Sequence, residues 1–319
     1  MNINGFSIED NKKVIVLGAA GFIGKNLSLR LIRDGFNVKC FDRAGTDMTI
    51  LQSENSNFIF GEFADFSDDS KAEHILKDVD VVFHLISTTC PTNSNTNIES
   101  EFECNVLGTI RLLEACVKNN VKKIVFLSSG GTVYGKNHDG ILAEEDETSP
   151  ISSYGIQKLS IEKLLYLYYE MHGLDYRIVR LSNPYGPYQR PNGVQGVVST
   201  FTWKALHEED ITVYGDGSVI RDYIYIDDAI EGILQIASDN SKNKLYNLGS
   251  GIGTSVNEVI ETISKVIGRS LHIEYLESRK VDVPVNILNT GRFCDEFGTA
   301  SVISMEEGVK RLIEFYENC

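Results

Sequence analysis

Short apolar runs alternate with amphipathic stretches through the first half of the chain, the pattern of strands buried on both faces between helices. Lys13-Val14-Ile15-Val16-Leu17 reads as a strand that enters a glycine-rich turn and then an amphipathic helix to about Gly35. Further strands are predicted at Asn37 to Phe41, Phe58 to Phe60, Val79 to Ile86, Lys123 to Leu127 and Tyr176 to Leu181. Helices are expected over about Asp69 to Lys77, Glu99 to Asn119 and Ser153 to His172. The alternation predicts an α/β fold: a doubly wound parallel sheet of Rossmann type, with a smaller C-terminal α/β region. Around Asn183 to Gly196 the pattern breaks into Pro, Tyr and Gly, which places the change of domain there.

One helix carries more apolar surface than a sheet can cover. Leu164-Leu165-Tyr166-Leu167-Tyr168-Tyr169 is apolar around most of its circumference, so one face must bury elsewhere. A homodimer built from this helix and the Glu99 to Asn119 helix is preferred, with burial under the C-terminal region as the alternative.

Composition narrows the partners. A chain of 319 residues can hold one large α/β unit, or a nucleotide domain with a smaller companion. Its formal net charge of −15 argues against nucleic acid and anionic membrane surfaces, so a phosphate-bearing substrate would need local arginines. The first dozen residues are polar and no apolar run is long enough to span a bilayer, so a soluble cytoplasmic protein with no membrane partner is expected. Cys40, Cys90, Cys104, Cys116, Cys294 and Cys319 show no paired spacing, which points to reduced thiols rather than disulfides or zinc; no metal is expected. Glu144-Glu145-Asp146-Glu147 lacks metal-ligand spacing and reads as a solvated loop, His84 as a satisfied strand-end histidine, and Trp203 as a packing residue.

Two patterns carry chemistry. Gly18-Ala19-Ala20-Gly21-Phe22-Ile23-Gly24 lies between strand and helix, in the order that cradles a pyrophosphate against a helix N-terminus. Asp42 ends the second strand where a carboxylate meets an adenosine ribose, favouring NAD over NADP, though Arg43 beside it pulls the other way. Of the fourteen tyrosines only Tyr154 is followed four places later by lysine, Lys158, on one helix face. An ammonium beside a phenol favours the phenolate, so the pair can exchange a proton with a substrate alcohol.

With these residues assembled, the chain resembles the extended short-chain dehydrogenase/reductase family, and within it the NAD-dependent nucleotide-sugar epimerases and dehydratases. The likeness runs nearly end to end. It takes in Asp65, Val81-Val82-Phe83-His84-Leu85, Asn105-Val106-Leu107-Gly108-Thr109, and Ser128-Ser129-Gly130-Gly131-Thr132-Val133-Tyr134-Gly135. It continues through Asn183-Pro184-Tyr185-Gly186-Pro187, Gly215-Asp216-Gly217 and Arg221-Asp222-Tyr223. The resemblance implies that residues 1–182 form the NAD-binding Rossmann domain, to which later segments return, and that 183–319 mainly bind a nucleotide sugar.

It also implies roles. Tyr154 is the acid/base and Lys158 bonds the nicotinamide ribose; Asp65 with Phe66 meets adenine, and Leu85, Ile86 and Ser87 line the cofactor. Asn105, Ser128, Leu181 and Pro184 are further cofactor contacts, and Arg180 to Pro184 border the nicotinamide and the sugar. Asn183, Arg221, Arg279 and Asp282 hold the diphosphate and ribose of the substrate, Val213 and Tyr214 its base, and Thr88 is a further substrate contact. For Arg221 the alternative is a surface ion pair with Asp222.

The chain departs from the family where a Ser or Thr usually bonds the reacting hydroxyl, because that place is Gly130. Thr132 is favoured to supply the hydroxyl; Ser129, or neither, stays open. Related dehydratases carry Asp and Glu where this chain has Gly131 and Thr132, and elimination of water needs that acid and base. Cys90 is a distant candidate for chemistry at another carbon. By subtraction the implied reaction is 4-epimerisation of a nucleotide-hexose, most simply a UDP-hexose, through a transient 4-keto sugar. A 4,6-dehydratase, a 4-ketoreductase and a non-catalytic dinucleotide-sensing module are the alternatives.

Overall fold

In the computed structural model, residues 13–89, 94–136, 140–191, 196–277, 283–299 and 301–318 are described. The apolar run Lys13–Leu17 forms β1, buried from its second residue onward, and its turn delivers the chain into α1 (Phe22–Arg33). β2 (Asn37–Asp42) and β3 (Ser56–Phe60) follow, then α2 (Asp69–Leu76) and β4 (Val81–His84). α3 (Ile98–Phe102) passes through a π turn at Glu103–Leu107 into α4 (Gly108–Lys118), which leads to β5 (Lys123–Ser129). After β6 (Ile141–Leu142) comes α5 (Ser153–His172), then β7 (Asp175–Leu181), β8 (Asn183–Tyr185) and α6 (Val197–Leu206). β9 (Ile211–Tyr214), β10 (Ile220–Tyr225), α7 (Ile226–Ser238) and β11 (Leu245–Leu248) continue the chain. It closes with β12 (Gly253–Ser255), α8 (Val256–Ile267), β13 (Ile273–Leu276), β14 (Val285–Leu288), α9 (Gly291–Phe297) and α10 (Met305–Glu317).

The main sheet has seven strands in the order β11-β7-β5-β4-β1-β2-β3. β1 pairs in parallel with β2 and β4, β2 with β3, and β4 with β5, so the doubly wound α/β expectation holds. Strand order reverses between β1 and β4, the switch point at which such sheets bind ligands beyond their carboxyl ends. Ile15, Leu17, Val82, Ile124 and Phe126 of the central strands pack with Leu112, Leu113 and Cys116 of α4 and Ile161 and Leu165 of α5 in one buried core.

The chain divides into two compact units, 1–133 with 150–180 and 233–246, and 134–149 with 181–232 and 247–319. Residues 134–149 therefore lie in the second unit, and 233–246 return to the first. In the second unit β12, β10, β14 and β6 form a sheet, β8 also pairs with β10, and β9 and β13 make a separate parallel pair. Its fully buried Asp222 accepts hydrogen bonds from Ser250 N and Oγ at 2.8 and 2.7 Å and from Gly251 N at 3.1 Å. Burial raises this carboxyl. Asp222 is thus an internal staple and not a surface partner for Arg221, since adjacent strand residues face opposite ways.

Two sequence expectations need refinement. Glu99 to Asn119 is an unbroken helical run but not a uniformly α one: the π turn lies between α3 and α4, and the Thr109 hydroxyl of α4 donates back to Asn105 O at 2.6 Å. The acidic run is not wholly solvated either. Glu144 is buried and its Oε1 accepts from Asn247 N at 2.8 Å, while Asp146 accepts from Ala143 N at 2.8 Å. Among the described residues no helix is long and apolar enough to cross a membrane, and no cluster of side chains could hold a metal.

Candidate active site

The glycine turn is a cradle because side chains have no room in it. Gly18 has φ +88°, and a Cβ on Gly24 would lie 2.0 Å from Gly18 O, so α1 packs against the turn only with glycine there. Gly18 N and Ala19 N donate to Phe41 O at 2.9 and 3.1 Å, and Ala20 N donates to Asp42 Oδ2 at 2.8 Å. Asp42 Oδ1 accepts from Arg43 N at 2.8 Å, which fixes the carboxylate beside the turn at the end of β2. No side chain caps the α1 start at Gly21, so the amides of Phe22 and Ile23 have the orientation that suits an anion. Leu85 and Ile86, just past β4, lie against Gly18, with Ile86 N 3.4 Å from a Cβ built there. A dinucleotide pyrophosphate and ribose fit this set of donors and acceptors.

Other expected cofactor residues are more committed to the protein. The Phe66 ring is buried against Phe41 and Phe63, and the Asp65 carboxylate caps its own turn at Glu62 N and pairs with Lys71 at 2.6 Å. The Ser128 hydroxyl donates to Glu162 Oε1 at 2.5 Å. Ser87 is exposed and donates to Thr89 O at 2.8 Å.

α5 is capped by Ser152, whose Oγ accepts from Gly155 N at 3.2 Å. The residue after Tyr154 has to be small: a Cβ on Gly155 would lie 2.8 Å from Pro150 Cβ and 2.9 Å from Thr132 O. That close approach seats the Ser129–Val133 turn on the start of the helix. The Lys158 ammonium lies 5.6 Å from the Tyr154 ring centroid and 4.6 Å from that of Phe126, and donates to Leu127 O at 2.7 Å. Burial pushes this ammonium down to about 8, while Glu162 one turn on pulls it up. Thr132 Oγ1 is buried with no hydrogen-bond partner among the described residues, whereas Gly131 faces open space, with Ser129 Oγ 3.9 Å from its Cβ position.

His84 meets Thr109 Oγ1 through Nε2 at 3.0 Å, and because that hydroxyl donates to Asn105 O, Nε2 carries the proton. Burial first, and the Lys158 charge second, push its pKa to about 3, so it stays neutral. Arg180 departs from expectation. Its guanidinium forms a buried double contact with Glu162, Nε to Oε1 at 3.1 Å and Nη2 to Oε2 at 2.8 Å, so this side chain is committed to the protein. Reading the sequence missed Glu162, Glu101 and Gln157, although the spacing of Gln157 and Glu162 on the tyrosine helix was visible.

In the second unit, Asn183 Nδ2 donates to Asp222 O at 2.9 Å, and the Arg221 guanidinium donates to Ile220 O and Val283 O at 2.8 and 2.6 Å. Val213 is buried and Tyr214 exposed on β9; Leu181 is buried and Pro184 half-buried. Arg279, Asp282 and Cys90 lie outside the described residues. Trp203 packs, its ring stacked on His207 at 3.9 Å and edge-on to Tyr316.

A glycine cradle, a strand-end carboxylate and a tyrosine–lysine helix on one doubly wound sheet mark a dinucleotide-dependent α/β enzyme. Residues 14–249 match the NAD dependent epimerase/dehydratase family, and the chain belongs to it. It is 31% identical over 310 residues to the UDP-glucose 4-epimerase of Mycolicibacterium smegmatis, covering 96% of this chain and 99% of that one. Among solved structures it resembles the UDP-glucose 4-epimerase of Thermotoga maritima with UDP-glucose, at TM-score 0.89, 33% identity, and coverage of 96% and 99%. The UDP-N-acetylglucosamine 4-epimerase of Methanobrevibacter ruminantium, in complex with UDP-N-acetylmuramic acid, is similar at TM-score 0.89 and 29% identity, covering 97% and 99%.

Proposed function

We propose that the protein is an NAD-dependent 4-epimerase of a UDP-hexose or of its N-acetylated or uronic relative. The observation that carries this reading is the buried Lys158 ammonium near the Tyr154 ring, on a helix tied to β5 of the sheet that carries the glycine cradle. When bound, NAD supplies the acceptor and then the donor of the hydride at carbon 4. Tyr154 takes the proton of the 4-hydroxyl as a phenolate and returns it after the keto sugar has turned over. Lys158 holds the phenolate charge and bonds the nicotinamide ribose. Thr132 Oγ1, buried without a hydrogen-bond partner among the described residues, donates to the sugar oxygen, with Ser129 as the neighbouring candidate.

The stretch 130–132 favours epimerisation over elimination, because Gly131 has no side chain and Thr132 no acidic proton to give. Gly18, Gly21 to Gly24, Asp42, Leu85 and Ile86 hold the dinucleotide; Asn183, Tyr214, Arg221, Arg279 and Asp282 serve the nucleotide of the substrate. The enzyme works in the cytoplasm as a homodimer, supplying hexoses for polysaccharide synthesis. Apolar side chains exposed on α5, among them Leu167 and Met171, support that assembly.

The test is to incubate purified protein with UDP-glucose, UDP-N-acetylglucosamine and UDP-glucuronate without added cofactor and to read the configuration at carbon 4 by NMR. Interconversion of any one supports the reading, and a 4-keto-6-deoxy product overturns it. Tyr154→Phe is expected to retain dinucleotide and to lose about three orders of magnitude in kcat.

A further inference from the structure

Where α5 faces α3 and the π turn, four polar side chains are buried together: Glu101, Asn105, Ser153 and Gln157, none more than 6% exposed. Burying a carboxylate and two amides is unfavourable unless each finds partners, and here each does. Glu101 Oε2 accepts from Ser153 Oγ at 2.8 Å and from Gln157 Nε2 at 3.1 Å. Gln157 Nε2 also donates to Ser153 Oγ at 2.8 Å, and its Oε1 accepts from Asn105 Nδ2 at 2.7 Å. Asn105 Oδ1 extends the chain by accepting from Thr88 N at 3.0 Å and Thr88 Oγ1 at 3.1 Å. The donors and acceptor of the Asn105 amide are therefore engaged inside the protein, which makes it a link between elements rather than a ligand contact.

The placement on α5 gives this network leverage. Ser153 and Gln157 lie one turn apart on one face, and Tyr154 and Lys158 each follow by one residue, about 100° around the helix. Gripping the first pair therefore fixes the direction of the second. The π turn belongs to the same device, since it carries Asn105 and is tied back through Thr109 to His84 on β4.

We propose that Glu101 and Gln157 are positioning residues that set the rotation of α5 and couple it, through Asn105, to the Thr88 segment beyond β4. The proposal rests on the reading of Tyr154 as the acid/base, because a phenol turned away from the sugar hydroxyl cannot take its proton. Both side chains are buried and hydrogen-bonded within the protein, so they are expected to act on kcat and not on KM.

The experiment compares dinucleotide-loaded wild type with Gln157→Leu, Glu101→Ala, Glu101→Gln and Ser153→Ala, using UDP-glucose as substrate and hydrogen exchange of the Thr88 segment as a second readout. Gln157→Leu and Glu101→Ala should lower kcat by about tenfold or more with KM within about twofold, and Glu101→Gln, which keeps shape and one acceptor, should recover most of it. In Gln157→Leu the Thr88 amide should exchange faster although the change lies on another element. A folded Gln157→Leu with wild-type kcat overturns the proposal. Should that variant not fold, Ser153→Ala, which removes a single donor, decides on the same kcat criterion. If wild type itself turns over no UDP-sugar, the reaction assignment falls separately, and unaltered Thr88 exchange in Gln157→Leu then overturns the coupling.

Discussion

Lys158 carries a charge in a place that opposes it. Burial moves the ammonium from 10.5 to about 8, and Glu162 counters only part of that displacement. Below about 8 the side chain is charged and, in the proposed mechanism, supports a phenolate at Tyr154; above it that support is lost. Turnover is therefore expected to decline as pH rises through about 8, and Lys158→Met should show a low kcat without that alkaline limb. The same shift bears on stability with a definite sign. Between about 8 and 10.5 the unfolded chain binds more protons at this site than the folded one, so its contribution to stability rises with pH across that window. Gly155 makes a second case. Gly155→Ala would force a methyl to within 2.8 Å of Pro150 Cβ and 2.9 Å of a backbone oxygen, Thr132 O. The turn bearing Thr132 must then move, with a loss of about 1–3 kcal/mol in thermal unfolding and a lower kcat. Unchanged melting and turnover would show that the turn yields freely.

At the scale of elements, α5, β5 and β7 are joined by Glu162, which takes the Ser128 hydroxyl and both ends of the Arg180 fork. The pair is almost fully buried, with side chains 4% exposed on each partner, so removing one member leaves an uncompensated charge. Glu162→Gln is expected to cost about 3–5 kcal/mol in denaturant unfolding. It should also move the alkaline limb of kcat to lower pH, because the group that raises Lys158 is gone and Arg180 remains. A limb that stays in place would separate Glu162 from the Lys158 charge. The elements themselves were legible to differing degrees. β1 and β5 were plain in the sequence because both faces are buried and their apolar runs are nearly continuous. The glycine cradle and the Tyr154–Lys158 spacing were plain because backbone room and helix periodicity leave local signatures. The π turn was not, since one extra residue in a turn preserves the amphipathic look of Glu99 to Asn119 while long-range partners, His84 among them, hold it. The pairing of Arg180 with Glu162 was hidden for a similar reason: the two are 18 residues apart on different elements, and only the fold brings them together.

At the scale of the molecule, the formal charge of −15 and the apolar surface on α5 pull against one another. Ile156, Leu167 and Met171 fall on one side of that helix and are 43%, 46% and 62% exposed, and Ile98 and Leu107 are also exposed beside the π turn. Single exposed apolar residues mean little, but a stripe along a helix fits an isologous contact in which each copy presents the same surface. In the proposed dimer two strongly acidic subunits repel each other, and salt screens that repulsion while leaving apolar burial intact. Raising ionic strength should therefore shift the sedimentation equilibrium toward the dimer. Leu167→Glu with Met171→Glu would place like charges across the twofold and add to the net charge, so this double variant should sediment as a monomer. It should keep bound dinucleotide, because neither residue lies near the glycine cradle in sequence or on the Tyr154–Lys158 turn of α5. A wild-type chain that stays monomeric at high concentration and high salt would sink the dimer and leave the α5 stripe to some other covering.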